Sequence, residues 1–329
     1  MSDQVKMLTI AVGAAALVGV YVVHWWWKRR LPTKWRKVGE LVDILCFPIK
    51  SCAVVKLQSA ECEVLGLRDG YMRDRVFMVI NQEGKFITSR QEPEMIRITP
   101  KIEGDKLILA APGMEQRITI NMTSLPKFPK RKAKIWEHFV EVIDCGDEVA
   151  DWLSRYLTNG PKLKPRLVYY PRPDATRDVR PPNKVFHKLQ QKDVGAFPDA
   201  SSFNMIVQES VDDLNTRLSK PVTPLSFRPN FVMRGAKAYE EDSWDYVRIG
   251  DVVFRNVKPC TRCILTTVDP ETGVKDEKME PLKTLKSYRQ ITDAKLKRWV
   301  GDSPAMGIHL VFCTGGSVKV GDEVYVGVN

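Results

Sequence analysis

The sequence predicts a β-rich mixed α/β protein built on a barrel or a closed, curved sheet with a few flanking helices, carried behind one N-terminal transmembrane helix. Three observations predict it. Short β-branched runs recur between Gly/Asp turns over most of the 329 residues, as strands of a closed sheet do. Helical periodicity is confined to a few short stretches. Leu8 to Trp27, LTIAVGAAALVGVYVVHWWW, holds no Asp, Glu, Lys or Arg and as a helix is long enough to cross a hydrocarbon core of roughly 30 Å.

The apolar stretch comes first. Trp25, Trp26 and Trp27 end it, where indoles favour the headgroup zone. Lys28, Arg29, Arg30, Lys34, Arg36 and Lys37 follow at once, while only Asp3 and Lys6 precede it. The positive-inside rule then leaves the long C-terminal part in the cytosol. The rival is a cleaved secretory signal, but the stretch is long for one and a basic cluster stands where a small-residue cleavage site belongs. Residues 1–37 therefore read as a signal anchor and basic linker.

Arg75–Ile80 and Lys85–Ser89, joined by a turn at Asn81–Gly84, read as a hairpin, and Lys106–Ala110 and Arg117–Asn121 continue the strands. Lys127–Lys134 is a basic, exposed run. Val149, Trp152, Leu153, Tyr156 and Leu157 fall at helical spacing, with Gly160 as a stop. Arg172–Lys192 is polar, basic and interrupted by Pro173, Pro181 and Pro182, and reads as a long surface excursion. It divides residues 38–170 from residues 171–329. Ser210-Val-Asp-Asp213 resembles a capping box that opens a helix with Val211, Leu214 and Leu218 on one face. Val247–Val257 and Val318–Val328 share a Gly-Asp turn between β-branched runs, and Pro281–Tyr288 and Asp293–Val300 read as two short helices.

Composition narrows the class. Hydrophobic residues are 43% of the chain, enough for a substantial core. Seven cysteines, Cys46, Cys52, Cys62, Cys145, Cys260, Cys263 and Cys313, do not make a disulfide framework in a chain this long. An odd number also leaves a thiol unpaired, so the compartment is a reducing one. The net charge of +11 favours acidic partners: a protein, a phosphate-bearing ligand, a membrane surface or nucleic acid.

The informative spacing is Cys260-Thr-Arg-Cys263. Structural zinc needs four ligands, and no second C-x-x-C or His pair exists; His138, His187 and His309 are isolated and His24 lies in the apolar stretch. A thioredoxin-like pair belongs before a helix in a βαβ unit, not between two strand-like runs. A cysteine nucleophile has no local signature here, and two buried core thiols are the plain alternative. Lys258 and Arg262 supply positive charge that favours a thiolate, a soft ligand for a soft or high-valent metal. One cysteine among several cations would suit a metal whose other ligands arrive on an anionic cofactor.

C-T-R-C-I-L-T-T-V-D-P-E-T-G (Cys260–Gly273) and E-P-L-K-T-L-K-S-Y-R (Glu280–Arg289) resemble the mitochondrial amidoxime-reducing components, members of the molybdenum-cofactor sulfurase C-terminal (MOSC) superfamily. P-I-K-S-C (Pro48–Cys52), L-R-D-G-Y-M-R-D-R (Leu67–Arg75), N-Q-E-G-K-F-I-T-S-R-Q-E-P (Asn81–Pro93), D-A-S-S-F (Asp199–Phe203), S-F-R-P-N (Ser226–Asn230) and E-D-S-W-D (Glu241–Asp245) follow in the family's order. The resemblance covers nearly the whole chain, anchor included. It implies an MOSC-type β-barrel with an N-terminal β-barrel-like subdomain. It also implies molybdenum on molybdopterin, with Cys263 as the protein's metal ligand and the residue on which catalysis turns.

Lys50, Arg75, Arg228 and Arg262 fall on the family's cofactor-contacting positions, where guanidinium forks and an ammonium suit phosphate. Ser51, Asp199, Ala200, Ser201, Asn230 and Thr261 fall on positions that add hydrogen bonds, partly through backbone groups. Cys260 reads as structural. At His309 the human members carry a tyrosine; an imidazole there still donates a hydrogen bond and adds a group that titrates, which would alter substrate range or pH optimum.

The activity implied is reduction of amidoximes and hydroxylamines to amidines and amines, with electrons from NADH through cytochrome b5 reductase and cytochrome b5. The place implied is the mitochondrial outer membrane, with the C-terminal domain facing the cytosol. No plant-type ferredoxin spacing is present, so electrons come from a separate partner, which the two basic runs would suit. One rival is a membrane-tethered carrier that holds the cofactor without catalysis. The other is a basic binder of nucleic acid or lipid, which no RNP-like aromatic motif supports.

Overall fold

A computed structural model describes residues 31–328. The apolar stretch 8–27 lies outside the described residues, and within them no helix is long and apolar enough to cross a membrane.

Seven strands close a barrel: β1 (Lys34–Cys46), β2 (Phe203–Val207), β3 (Phe231–Arg234), β4 (Tyr246–Ile249), β5 (Val252–Thr261), β6 (Ala305–Phe312) and β7 (Glu323–Val328). Around the ring the order is β3, β2, β6, β5, β4, β7, β1, and β1 returns to β3. Neighbours run antiparallel except β2 and β3. Phe203, Phe231 and Phe254 fill the interior with ring centroids 5.2–5.8 Å apart. Closure on β1 removes a sheet edge and joins a strand from residues 34–46 to six drawn from residues 203–328.

Gly39 makes that closure possible. A Cβ there would lie 1.8 Å from the Arg234 carbonyl oxygen, beside the point where the β1–β3 register shifts between Leu41 and Asp43. Gly39→Ala is expected to lower the thermal midpoint by roughly 5 °C, since a clash with backbone costs about 2–3 kcal/mol. A thermal melt followed by circular dichroism checks this.

Lys130–Ile135, His138–Asp144, Arg166–Tyr169 and Phe77–Ile80 make a four-stranded antiparallel sheet. The meander Thr99–Glu103, Lys106–Ala110, Ile118–Asn121 and the helix Asp147–Tyr156 accompany it. Val149, Trp152 and Leu153 point into their common core, as the helical spacing predicts.

Four local readings differ from the structure, each for a tertiary reason. Residues 85–89 make only two isolated bridges, Phe86 to Ile80 and Lys85 to Lys134, because Phe77–Ile80 takes Arg166–Tyr169 as its full partner. The Gly-Asp turn at 321–322 is not a hairpin: Gly316–Lys319 pairs with Ser59–Glu63, while β7 joins the barrel. Ser210 does not cap a helix. It lies buried inside Gln208–Asn215 and donates to Glu241 at 3.0 Å, and burial pushes that carboxyl up to about 7. Residues 172–192 are not simply surface, since Arg177, 2% exposed, donates to the Val194, Ala196 and Pro198 carbonyls at 3.0, 3.0 and 2.7 Å. Arg177 thereby fixes the stretch that carries Asp199.

Candidate functional site

The site lies where β5 ends beside the start of β6 and the loops after β1 and before β2 and β3 converge. Lys50, Ser51, Arg75, Asp199, Ser201, Arg228, Thr261, Arg262, Cys263 and His309 line one pocket. Ala200 and Asn230 stand behind its wall, both buried. Asn230 Oδ1 accepts from Arg75 Nη1 at 3.4 Å and from the Asn204 N–H at 3.2 Å, and its Nδ2 donates to the Leu45 carbonyl at 3.2 Å. It ties β1 to the loop that carries Arg228. Thr88, Arg90, Pro198, Asn204, Phe227 and Thr266 also line the pocket. Thr88 and Arg90 lie within the quoted Asn81–Pro93 motif, Phe227 within Ser226–Asn230 and Thr266 within Cys260–Gly273; Pro198 and Asn204 lie in none of them.

The two cysteines separate. Cys260 is buried on β5 and Cys263 is exposed. The Cys263 carbonyl accepts from the N–H and the hydroxyl of Thr266 at 3.1 and 3.0 Å, so the turn Ile264–Thr267 that follows the strand holds its backbone. Five of the thiols are buried, and all seven are free.

Several cations line the same pocket as this sulfur. Arg228 is 8% exposed, and its guanidinium lies 4.2 Å from the Phe47 ring centroid and makes no hydrogen bond to the described residues, Nη2 being buried without a partner. Burial first and Arg75 second push it down to about 9. Arg262 spends its donors on carbonyls, Nε to Met306 at 2.8 Å and Nη1 to Phe227 at 2.7 Å, and pairs with no carboxylate among the described residues. Lys50 donates to the Phe197 carbonyl at 2.9 Å and pairs with Asp199; burial pushes it down to about 8 although Asp199 opposes the shift. Arg75 pairs with Asp74 and donates to the Arg228 carbonyl at 3.0 Å.

Ser51, Arg75 and Arg228 hold φ of 69°, 49° and 50°, a region that costs a residue with a Cβ on the order of 1 kcal/mol. Three strained backbones meeting at one pocket mark a site whose geometry is set by more than packing.

His309 lies opposite Lys258 in the β5–β6 ladder. The Ser201 hydroxyl donates to the Phe203 carbonyl at 2.8 Å and meets His309 Nδ1 at 2.9 Å. With the hydroxyl proton spent, Nδ1 is the donor and Nε2 keeps a lone pair. Burial, then Lys258 and Arg262, hold the imidazole well below its ordinary range, so it is neutral at pH 7 and does not titrate there.

Among the described residues, no three His, Cys, Asp or Glu side chains gather to hold a metal. The pocket instead offers one exposed thiol and a guanidinium buried without a counterion. That donor set fits a metal that brings ligands of its own on an anionic scaffold.

Residues 38–160 match the family described as the MOSC N-terminal beta barrel domain, and residues 192–325 match the MOSC domain. The chain is 39% identical over 321 residues to human mitochondrial amidoxime-reducing component 1, covering 96% of this chain and 93% of that protein. It is 40% identical over 302 residues to component 2 of Bos taurus, covering 91% and 87%. To component 2 of Rattus norvegicus it is 40% identical over 332 residues, covering 99% and 95%.

Proposed function

The chain belongs to the MOSC-domain family of mitochondrial amidoxime-reducing components, and from that premise we propose that it is a molybdenum-cofactor-dependent reductase of amidoximes and hydroxylamines. The observation that carries this is Cys263, an exposed thiol at a pocket whose buried guanidinium, Arg228, makes no hydrogen bond to the described residues.

When bound, the molybdenum centre supplies the two electrons that break the N–O bond. The chain's own residues do the rest. Cys263, exposed and lining the pocket, would offer the sulfur that holds the metal. Lys50, Arg75 and Arg228 hold the anionic scaffold: the Arg228 guanidinium makes no hydrogen bond to the described residues, and Arg75 is aimed by Asp74. Ser51, Thr261 and Arg262 complete the wall. The cationic surround stabilises negative charge that builds on the departing oxygen. His309 Nε2, fixed by the Ser201 contact, presents an acceptor for an N–H or O–H of the guest.

Electrons come from NADH through cytochrome b5 reductase and cytochrome b5, and the protein sits in the mitochondrial outer membrane by a single pass of residues 8–27, its C-terminal part facing the cytosol. Two basic stretches, 127–134 and 172–192, suit an acidic electron donor.

The test is benzamidoxime reduction by the purified protein with the reconstituted cytochrome b5 chain, alongside metal analysis. Turnover with molybdenum present supports the proposal. Bound cofactor without turnover makes the chain a tethered carrier instead, and metal-free folded protein from a host that makes molybdopterin ends the proposal. Removing residues 1–30 is expected to release active protein from the membrane fraction; a truncated chain that stays in the membrane pellet would refute the anchor.

A further inference from the structure

Trp136 stands at the tip of the hairpin joining Lys130–Ile135 to His138–Asp144, far in sequence from the rest of the site. Its φ is 54°, as a two-residue hairpin turn requires. The indole Nε1 donates to Asp199 Oδ1 at 3.1 Å, the same oxygen that takes Lys50 Nζ. The Arg180 guanidinium lies 3.6 Å from the Trp136 ring centroid and that of Arg90 lies 4.8 Å away. Phe86 meets the ring edge-on at 4.9 Å. Arg90 lines the pocket, donates to Thr88 Oγ1 at 3.2 Å and has no carboxylate partner among the described residues. Arg180 has Glu137 at 3.5 Å.

Asp199 is the one carboxylate among the described residues that line the pocket. Two donors converge on its Oδ1, and the Lys50 ammonium offsets its charge, so the single anion that could receive a cationic guest already has a cation of its own, with only Oδ2 left without a partner among the described residues. The reaction proposed above makes this matter. An amidoxime, R–C(NH2)=NOH, is neutral at pH 7. Two electrons from the one-electron carrier and three protons break the N–O bond and yield one water and R–C(NH2)2⁺, because an amidine is a strong base. A neutral guest becomes a cation among cations.

We propose that Arg90, Trp136 and Arg180 form a cation-excluding rim that admits neutral N-hydroxylated compounds and expels the protonated product. Trp136 is the positioning residue: its N–H keeps Asp199 turned to Lys50 and away from the amidinium. This rests on the reading that the chain reduces such compounds, but the rim's charge selectivity can be read without turnover.

The probes are benzamidine, a cation, and benzamide, a neutral compound of the same shape. Each is titrated calorimetrically into the full-length holoprotein and used as an inhibitor of benzamidoxime reduction. The wild type is expected to bind benzamidine no more tightly than benzamide. Trp136→Phe keeps a ring between the guanidinium groups and removes the N–H. It is expected to tighten benzamidine about tenfold relative to benzamide, the size of one charge-assisted hydrogen bond regained by Asp199. Arg90→Gln is expected to shift the ratio the same way, and Arg90→Gln carries the comparison if Trp136→Phe does not fold.

A merely structural role would weaken both probes together and leave the ratio alone. Ratios within about twofold of wild type in the folded variants, the scatter between uncoupled sites, would overturn the proposal. So would a wild type that prefers benzamidine. If no N-hydroxylated compound is turned over, the functional reading fails, while the calorimetric ratio still reports on the rim.

Discussion

Cys263→Ala is expected to lose amidoxime reduction by more than about 10³-fold, roughly 4 kcal/mol, and to yield protein with little molybdenum. The fold should not notice. Cys263 is exposed at the end of β5 and belongs to none of the three hydrophobic clusters, and substitutions at such positions stay within about 0.5 kcal/mol. Cys260→Ala is the informative contrast. That thiol is 5% exposed, so its loss is expected to cost about 1 kcal/mol of stability while turnover persists. Metal analysis, turnover and a thermal melt on both variants separate ligand from packing. Wild-type turnover by Cys263→Ala would remove the ligand assignment.

The two cysteines show what a sequence can and cannot reveal. Spacing alone left them equivalent, and only the resemblance singled out Cys263. The structure adds a physical difference: both line the pocket, but Cys260 is buried in the barrel wall and Cys263 is exposed. Legibility elsewhere followed contact distance along the chain. The Gly-Asp turn at 250–251 forms the hairpin its pattern predicts, since β4 and β5 pair directly across it, Ile249 opposite Val252. The same pattern at 321–322 fails because its two arms pair with Ser59–Glu63 and with β1, partners 254–294 residues away along the chain. Ser210 reads as a cap until Glu241, thirty-one positions on, claims its hydroxyl.

The pocket's residues were legible where ordered motifs carried them, as with Lys50, Arg75, Asp199 and Arg228. Trp136 was not: it reaches the site through the tip of a hairpin in a different sheet, and only its bond to Asp199 reveals it. Nor does any letter of the sequence mark Ser51, Arg75 and Arg228 as left-handed, because L-residues adopt that backbone only when tertiary contacts hold it.

Arg228→Met is expected to make the protein more stable and less able to hold its cofactor. Burial and the neighbouring Arg75 push this guanidinium down to about 9, and at about 1.4 kcal/mol for each pH unit below the ordinary value keeping it charged costs on the order of 4–5 kcal/mol. The direction is clear: a cation with a depressed value weakens the fold at every pH where it stays protonated, and the penalty fades only as pH rises through about 9. Its contact with Phe47 returns about 1–2 kcal/mol, and methionine keeps the stem's packing over the same ring. The net gain should raise the thermal midpoint by roughly 3–6 °C. An anion that binds this guanidinium removes the same penalty, so inorganic phosphate should raise the midpoint of the cofactor-free wild type and leave that of Arg228→Met nearly unmoved. A variant that melts earlier than wild type, or responds equally to phosphate, would show that Arg228 serves the fold and not the ligand. Stability surrendered at one buried charge is then the source of affinity for the anionic group, because the protein holds the cation unpaired until its partner arrives.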